Sequence, residues 1–171
     1  TISGAIIDSD YNMVFDGSND RIDLGSQASL APGTGEFSVE FWINPSNWDN
    51  TAPIFSTSLT NGMLIFSDTT NFILRTYNVG NDLQYGTLPP INQWTHVCVN
   101  RIGTTATIYY NGIPVVTGTV TRNYIQGTTY LGNGGGINWF DGKMTQIRYY
   151  NRGLSAEEVR HNYNQTLIDF L

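Results

Sequence analysis

The sequence predicts an all-β fold, a sandwich or barrel of many short strands with one short C-terminal helix, and three observations lead there. Apolar and polar residues alternate with period two along much of the chain, most clearly from Glu36 to Asn44, where Phe37, Val39, Phe41 and Ile43 share one face. Only 13% of the residues are charged while Gly, Asn, Thr, Ser and Tyr abound, the profile of strands joined by tight turns rather than of long surface helices. The 171 residues suffice for one substantial core and no shift of composition divides them, so a single domain, 1–171, is expected.

In chain order, Met13 to Phe15 and Arg21 to Leu24 are the first expected strands, followed by the half-buried Glu36 to Asn44 strand. Ile54 to Thr57, Met63 to Ser67, Phe72 to Tyr77 and Leu83 to Gly86 come next, then Trp94 to Asn100 and Thr105 to Tyr110. Asn111-Gly112 tolerates the positive φ that a two-residue turn needs at both central positions, so it joins the last of these to Pro114 to Thr117 as a hairpin. Thr128 to Leu131 and Met144 to Tyr150 complete the set. About a dozen strands at short spacing make a sandwich or barrel. A helix over Ala156 to Asn164 follows from Ser155 as N-cap, Glu158 at the capping-box position, and Leu154 placed to staple onto Val159.

Several classes of function are disfavoured by bulk properties. The net charge is −6 and the pI about 4.6, with no run of Lys or Arg to displace counterions from a phosphate backbone, so nucleic acid is not an expected partner. No apolar run approaches the roughly 20 residues that span a bilayer, and membrane insertion is not expected. Cys98 is the sole cysteine, which rules out an intrachain disulfide and fits a small apolar filler. Two histidines and one cysteine assemble no zinc site, and no Gly-rich loop runs from a strand into a helix to cradle phosphate. Glu40 is an isolated strand carboxylate expected on a solvated outer face, and no catalytic residue is assigned.

Phe15-Asp16-Gly17 with Arg21-Ile22-Asp23-Leu24-Gly25, then Phe37-Ser38-Val39-Glu40-Phe41-Trp42-Ile43, then Trp94-Thr95-His96-Val97 occur in a telling order. Ile108-Tyr109-Tyr110-Asn111-Gly112 and Phe140-Asp141-Gly142 through Arg148-Tyr149-Tyr150-Asn151-Arg152, with Leu154-Ser155-Ala156-Glu157-Glu158, complete it. Over Met13 to Asn164 the chain resembles the laminin-G-like, concanavalin A-like jelly-roll superfamily, in the variant common in bacterial secreted and phage virion proteins. The resemblance implies a two-sheet antiparallel jelly-roll sandwich, with binding at the rim or on the concave face. It makes Trp42 and Trp94 core residues and gives His96 a hydrogen-bonded structural role. The family's enzymes carry paired carboxylates on alternate positions of one strand, a pattern missing here. Thr145 and Gln146 replace the acidic pair that commonly helps the family hold calcium. Calcium remains possible through oxygen ligands near the N-terminus, with Asp16 and Asp23 as metal candidates beside Asp8 and Asp10; the alternative is that Asp16 caps the turn before Gly17.

Sugar recognition sets an aromatic face against a pyranose and surrounds it with amide and carboxylate partners. Trp48, within Asn47-Trp48-Asp49-Asn50, sits among polar turn residues and is expected as an exposed platform. Trp139, beside Asn138 and after Gly134-Gly135-Gly136, is either a platform or the anchor of its loop. A second polar and aromatic cluster comprises Tyr77, Asn78, Asn81, Asp82 and Tyr85. The candidate ligand-binding set is therefore Trp48, Asp49, Asn50, Tyr77, Asn81, Asp82, Tyr85, Asn138 and Trp139. The expected function is a non-catalytic module binding a glycan or cell-surface polymer, extracellular or on a virion surface. The alternatives are a structural or decorating virion domain packed against other virion subunits, and a hydrolase, which needs two carboxylates about 5 to 10 Å apart across a cleft.

Overall fold

The computed structural model describes residues 1–48, 51–58, 60–133 and 138–170. In chain order the strands are β1 (Ile2–Ser3), β2 (Ile6–Ile7), β3 (Met13–Asp16), β4 (Arg21–Ser26), β5 (Phe37–Pro45), β6 (Ala52–Ser56) and β7 (Met63–Ser67). There follow β8 (Phe72–Thr76), β9 (Gly80–Tyr85), β10 (Thr95–Ile102), β11 (Thr105–Tyr110), β12 (Ile113–Thr119), β13 (Thr128–Leu131) and β14 (Asp141–Tyr150). They form two seven-stranded sheets, β1-β4-β13-β6-β7-β8-β9 and β12-β11-β10-β5-β14-β3-β2, in which sequence-distant strands lie side by side. This is the jelly-roll sandwich expected, called below the front and back sheet respectively.

Expected and observed strands coincide end to end for β7, β11 and β13. The hairpin turn has φ 51° at Asn111 and 74° at Gly112, as its residues require. Helix α1 (Ala156–Leu167) carries the capping box, with Ser155 Oγ accepting from the Glu158 amide, and it extends one turn beyond the expected end. The edge strands β1 and β2 have only two residues each, too few to show alternation.

The core fills the space between the sheets. Phe37, Val39, Phe41 and Ile43 of β5 and Val97 and Val99 of β10 meet Met63 and Ile65 of β7 and Phe72 and Leu74 of β8. The opposite face of β5 departs from the half-buried expectation, for Ser38, Glu40 and Trp42 are buried as well. Helix α1 covers them: Trp42 Nε1 donates to Thr166 Oγ1 at 2.9 Å, its ring lies 5.7 Å from that of Tyr163, and Leu154 and Val159 pack on Cys98 and Tyr109. Glu40, expected on a solvated face, is fully buried and held by Arg148 Nη1 at 3.1 Å, Tyr150 Oη at 3.0 Å and Asn162 Nδ2 at 3.1 Å.

A bulge in β14 makes this possible. Thr145 pairs with Trp42 and Arg148 with Glu40, so three steps on β14 match two on β5, and Gln146 sits at φ 50° in between. Without the extra residue Ile147 and Tyr149 would turn outward. With it both pack on the core while Arg148 and Tyr150 face Glu40.

Two tryptophans require correction. Trp48 is half-buried rather than exposed, because its Nε1 donates to the Pro89 carbonyl at 2.7 Å and its ring packs on the core 6.1 Å from Phe140. Trp94 is half-buried at the end of the back sheet rather than in the core, since it precedes β10 and is covered by Phe170 at 5.0 Å. Trp48→Ala is therefore expected to lower stability by about 2 to 4 kcal/mol, read from urea denaturation, because both packing and a hydrogen bond are lost.

His96 is 1% exposed and neither ring nitrogen has a hydrogen-bond partner, so its structural role is packing against Trp42 at 5.5 Å rather than hydrogen bonding. Burial pulls its pKa down to about 4, with Glu40 opposing and Arg148 reinforcing the shift. The unfolded imidazole protonates near 6.5, so between that value and about 4 the unfolded chain holds more protons. Stability should fall by about 2 kcal/mol from pH 7 to pH 5 on this account. The difference between wild type and His96→Gln in denaturation midpoint across that range isolates the contribution.

Candidate functional site

Helix α1 closes the outer face of the back sheet, whereas the outer face of the front sheet carries its own apolar cluster, Leu64, Phe66 and Ile73, with Tyr77 packed against it. Period-two alternation puts Ile73 and Arg75 of β8, and Tyr77 just beyond it, on the face opposite to the core residues Phe72 and Leu74. The antiparallel register sets Leu64 opposite Arg75, Phe66 opposite Ile73, and Pro53 of β6 opposite Phe66.

Of these, Pro53, Leu64, Phe66, Arg75 and Tyr77 line a cleft of about 250 Å³. Buried Pro53, Leu64 and Phe66 give it an apolar floor, half-buried Arg75 and Tyr77 a wall, and Thr51, Asn78 and Asn138 bring polar groups from three connecting segments. Asn78 occupies the left-handed region at φ 62° in the turn between β8 and β9, where asparagine is among the better tolerated residues. Asn138 is fixed by the bridge between Asn133 and Trp139 and by Asn133 Nδ2, which donates to the Asn138 carbonyl at 3.0 Å. The Arg75 guanidinium carbon lies 5.7 Å from the Phe66 ring centroid, and its buried Nε has no hydrogen-bond partner.

Of the expected ligand-binding residues, Tyr77 and Asn138 meet in this cleft although 61 positions separate them in the chain. Thr51 enters it from the segment after Asp49 and Asn50, which lie outside the described residues. The others go elsewhere. Asp82 is tied down by Arg122 Nε at 2.8 Å, Thr76 Oγ1 at 2.6 Å and Tyr124 Oη at 2.9 Å, so it is structural. Burial, followed by the Asp82 charge, pushes the Tyr124 hydroxyl well above its ordinary range, which keeps it a donor. Asn81 donates to Gln84 at 3.2 Å and Tyr85 sets its edge against Tyr110 at 5.6 Å. Trp139 is half-buried and its backbone bridges to Asn133, and Trp48 belongs to the packing described above.

Arg75, Leu64 and Phe66 were not foreseen. The available signal was Ile73, Arg75 and Tyr77 at alternate positions, a face neither plainly solvated nor plainly buried.

The calcium candidates do not make a cage. Asp16 Oδ1 accepts from the Ser18 amide at 2.8 Å and Asp23 Oδ1 from the Gly25 amide at 2.7 Å, each closing its own turn. Asp8, held well below the usual carboxylate range by the Asn12 amide and then Lys143, is paired with both. Among the described residues no three His, Cys, Asp or Glu side chains converge to hold a metal, and no helix is long and apolar enough to cross a membrane.

No curated protein matches the sequence. Among solved structures the chain is similar to the receptor-binding domain of botulinum neurotoxin C/D mosaic serotype, at 18% identity and a TM-score of 0.78, covering 98% of this chain and 46% of that one. It is similar also to the serotype D ligand-binding domain in complex with N-acetylneuraminic acid, at 19% identity and 0.79, covering 97% and 45%. A third likeness is to domain 4 of AbnA, an extracellular arabinanase from Geobacillus stearothermophilus, in complex with arabinotriose, at 20% identity and 0.73, covering 94% and 80%. The chain thus spans less than half of the toxin chains, and these likenesses establish the fold. A family model, Laminin_G_3, described as the concanavalin A-like lectin/glucanases superfamily, matches residues 16–160. With the jelly-roll topology and a model match over most of its length, the chain belongs to the concanavalin A-like lectin/glucanases superfamily.

Proposed function

We propose that this chain is a non-catalytic carbohydrate-binding module whose ligand lies in the front-sheet cleft. The observation that carries the reading is the cleft itself, an apolar floor of Pro53, Leu64 and Phe66 beside the Tyr77 ring, with Arg75, Asn78, Asn138 and Thr51 offering donors and acceptors around it. A sugar ring needs that combination, because one of its faces is C–H rich and its edge is all hydroxyls.

Catalysis fits the cleft poorly. Glycoside hydrolysis requires two carboxylates, and none lines the cleft among the described residues. Glu40, the buried strand carboxylate, is on the back sheet under α1 and occupied by four partners at hydrogen-bond or near-contact distance.

The ligands of two similar structures, arabinotriose and N-acetylneuraminic acid, are sugars and support the reading by fold analogy. Work outside the cell or on a virion surface is part of the proposal, supported by the extracellular arabinanase whose domain shares the fold.

Tyr77→Ala should weaken glycan binding by about 1 to 3 kcal/mol, since a stacking ring near the centre of a site is removed. Stability should change by no more than about 1 kcal/mol, because Tyr77 lies on the rim of a small outer cluster. A glycan array followed by calorimetric titration of wild type and variant reads both. If wild type binds no glycan, a structural virion role takes the lead instead.

A further inference from the structure

We infer that the cleft selects a sugar bearing a carboxylate, with Arg75 as the residue that reads it. The inference rests on the cleft being the glycan site and goes beyond it in naming the ligand class.

Arg75 differs from the cations of the chain that are paired or saturated. Arg122 is paired with Asp82, Arg148 with Glu40, Arg152 with Glu158 and Lys143 with Asp8. Arg101, more deeply buried, is saturated by backbone carbonyls: Nε donates to Gly35, Nη1 to Arg122 at 2.7 Å and Nη2 to Gly33 at 2.9 Å. It shows what this fold does with an arginine whose role is structural. Among the described residues the side chain of Arg75 meets no carboxylate and no carbonyl at hydrogen-bond distance, and this is the arginine with a buried nitrogen lacking a partner.

Its surroundings hold that state in place. Phe66 lies under the guanidinium at 5.7 Å and Leu64 sits opposite on the neighbouring strand, so little water can stand in for a partner at Nε. A guanidinium offers parallel N–H groups in a fork that a carboxylate accepts as a pair, and Arg75 lines the cleft. The cleft contains no acidic lining residue to compete for it among the described residues. Tyr77 and Asn138 line the same cleft beside it, where the ring and its hydroxyls would lie. At about 250 Å³ the space suits a single ring, and the net charge of −6 disfavours a long polyanion, so a terminal acidic sugar is the class that fits.

The test is calorimetric titration of the full chain with sialyllactose and with trigalacturonic acid, each beside its methyl ester, and with a sulfated lactose, on wild type, Arg75→Gln, Arg75→Lys and Tyr77→Ala. At least one of the two acids should bind about tenfold or more tighter than its ester, and the advantage should shrink as salt is raised. Arg75→Gln should abolish the preference for acid over ester. Arg75→Lys should keep part of it, because the charge remains while the fork is lost. Equal binding of acid and ester, retention of the preference in Arg75→Gln, binding of the sulfated probe alone, or no binding of either acid overturns the inference. If neutral sugars bind and Tyr77→Ala weakens them while Arg75→Gln does not, the cleft remains the glycan site and only the acidic class fails. If binding ignores both residues, the cleft reading fails with it.

Discussion

A carboxylate buried between a sheet and a helix sets the terms for the whole molecule. Glu40 has no exposure, and an unpartnered charge in such a place would cost more than a small fold can supply. Arg148 and Tyr150 reach it from β14 and Asn162 from α1, so the group is satisfied only when helix and back sheet are docked together. The docking in turn buries Trp42 beneath Tyr163 and Thr166. One face of the sandwich is thereby closed for structural reasons. Among the described residues the outer face of the other sheet carries no α-helix, and its apolar cluster of Leu64, Phe66 and Ile73 floors the proposed cleft or borders it.

The extra residue in β14 is the device that reconciles this network with the core. Met144, Ile147 and Tyr149 all pack inward although their spacing is three and then two, and the positive φ at Gln146 absorbs the mismatch. The replacement of the family's acidic pair falls at this same place, Thr145 and Gln146. Whatever an ion contributes in relatives, here the segment aims Arg148 at Glu40, and Gln146 itself donates to Asp169 at 2.7 Å near the chain's end.

What could be read from the sequence follows from the range of the forces involved. Strand windows such as Met63 to Ser67, the Asn111-Gly112 turn and the Ser155 to Glu158 capping box are local, each decided by neighbours within a few residues. The roles of Trp48, Trp94 and Glu40 depend on segments far along the chain: Pro89 for Trp48, Phe170 for Trp94, and Arg148 with Asn162 for Glu40. A polar neighbourhood in sequence, such as Asn47 and Asp49 around Trp48, says nothing of a carbonyl 41 residues away. The spacing of Met144, Ile147 and Tyr149 did contain the bulge, visible only once a strand is required to keep apolar residues on one face. The cleft was half legible, since Tyr77 and Asn138 stood out by composition, while Arg75 was hidden by its alternation with strand residues.

The same residue types therefore divide by environment rather than by identity. An arginine serves structure where carbonyls converge, as at Arg101, whereas the half-buried Arg75 keeps a buried Nε with no hydrogen-bond partner. Buried carboxylate divides likewise: Asp82 and Glu40 are each enclosed by donors and so are removed from chemistry. A superfamily that includes glucanases needs carboxylates facing a cleft to cleave a sugar. Here Glu40 and Asp82 are held in hydrogen-bond networks, and among the described residues the cleft is lined by one cation, a phenol and amides and by no carboxylate. Among the described residues the cleft offers an apolar floor with one guanidinium, a phenol and amides around it, and it is on this lining that the proposed sugar contact rests.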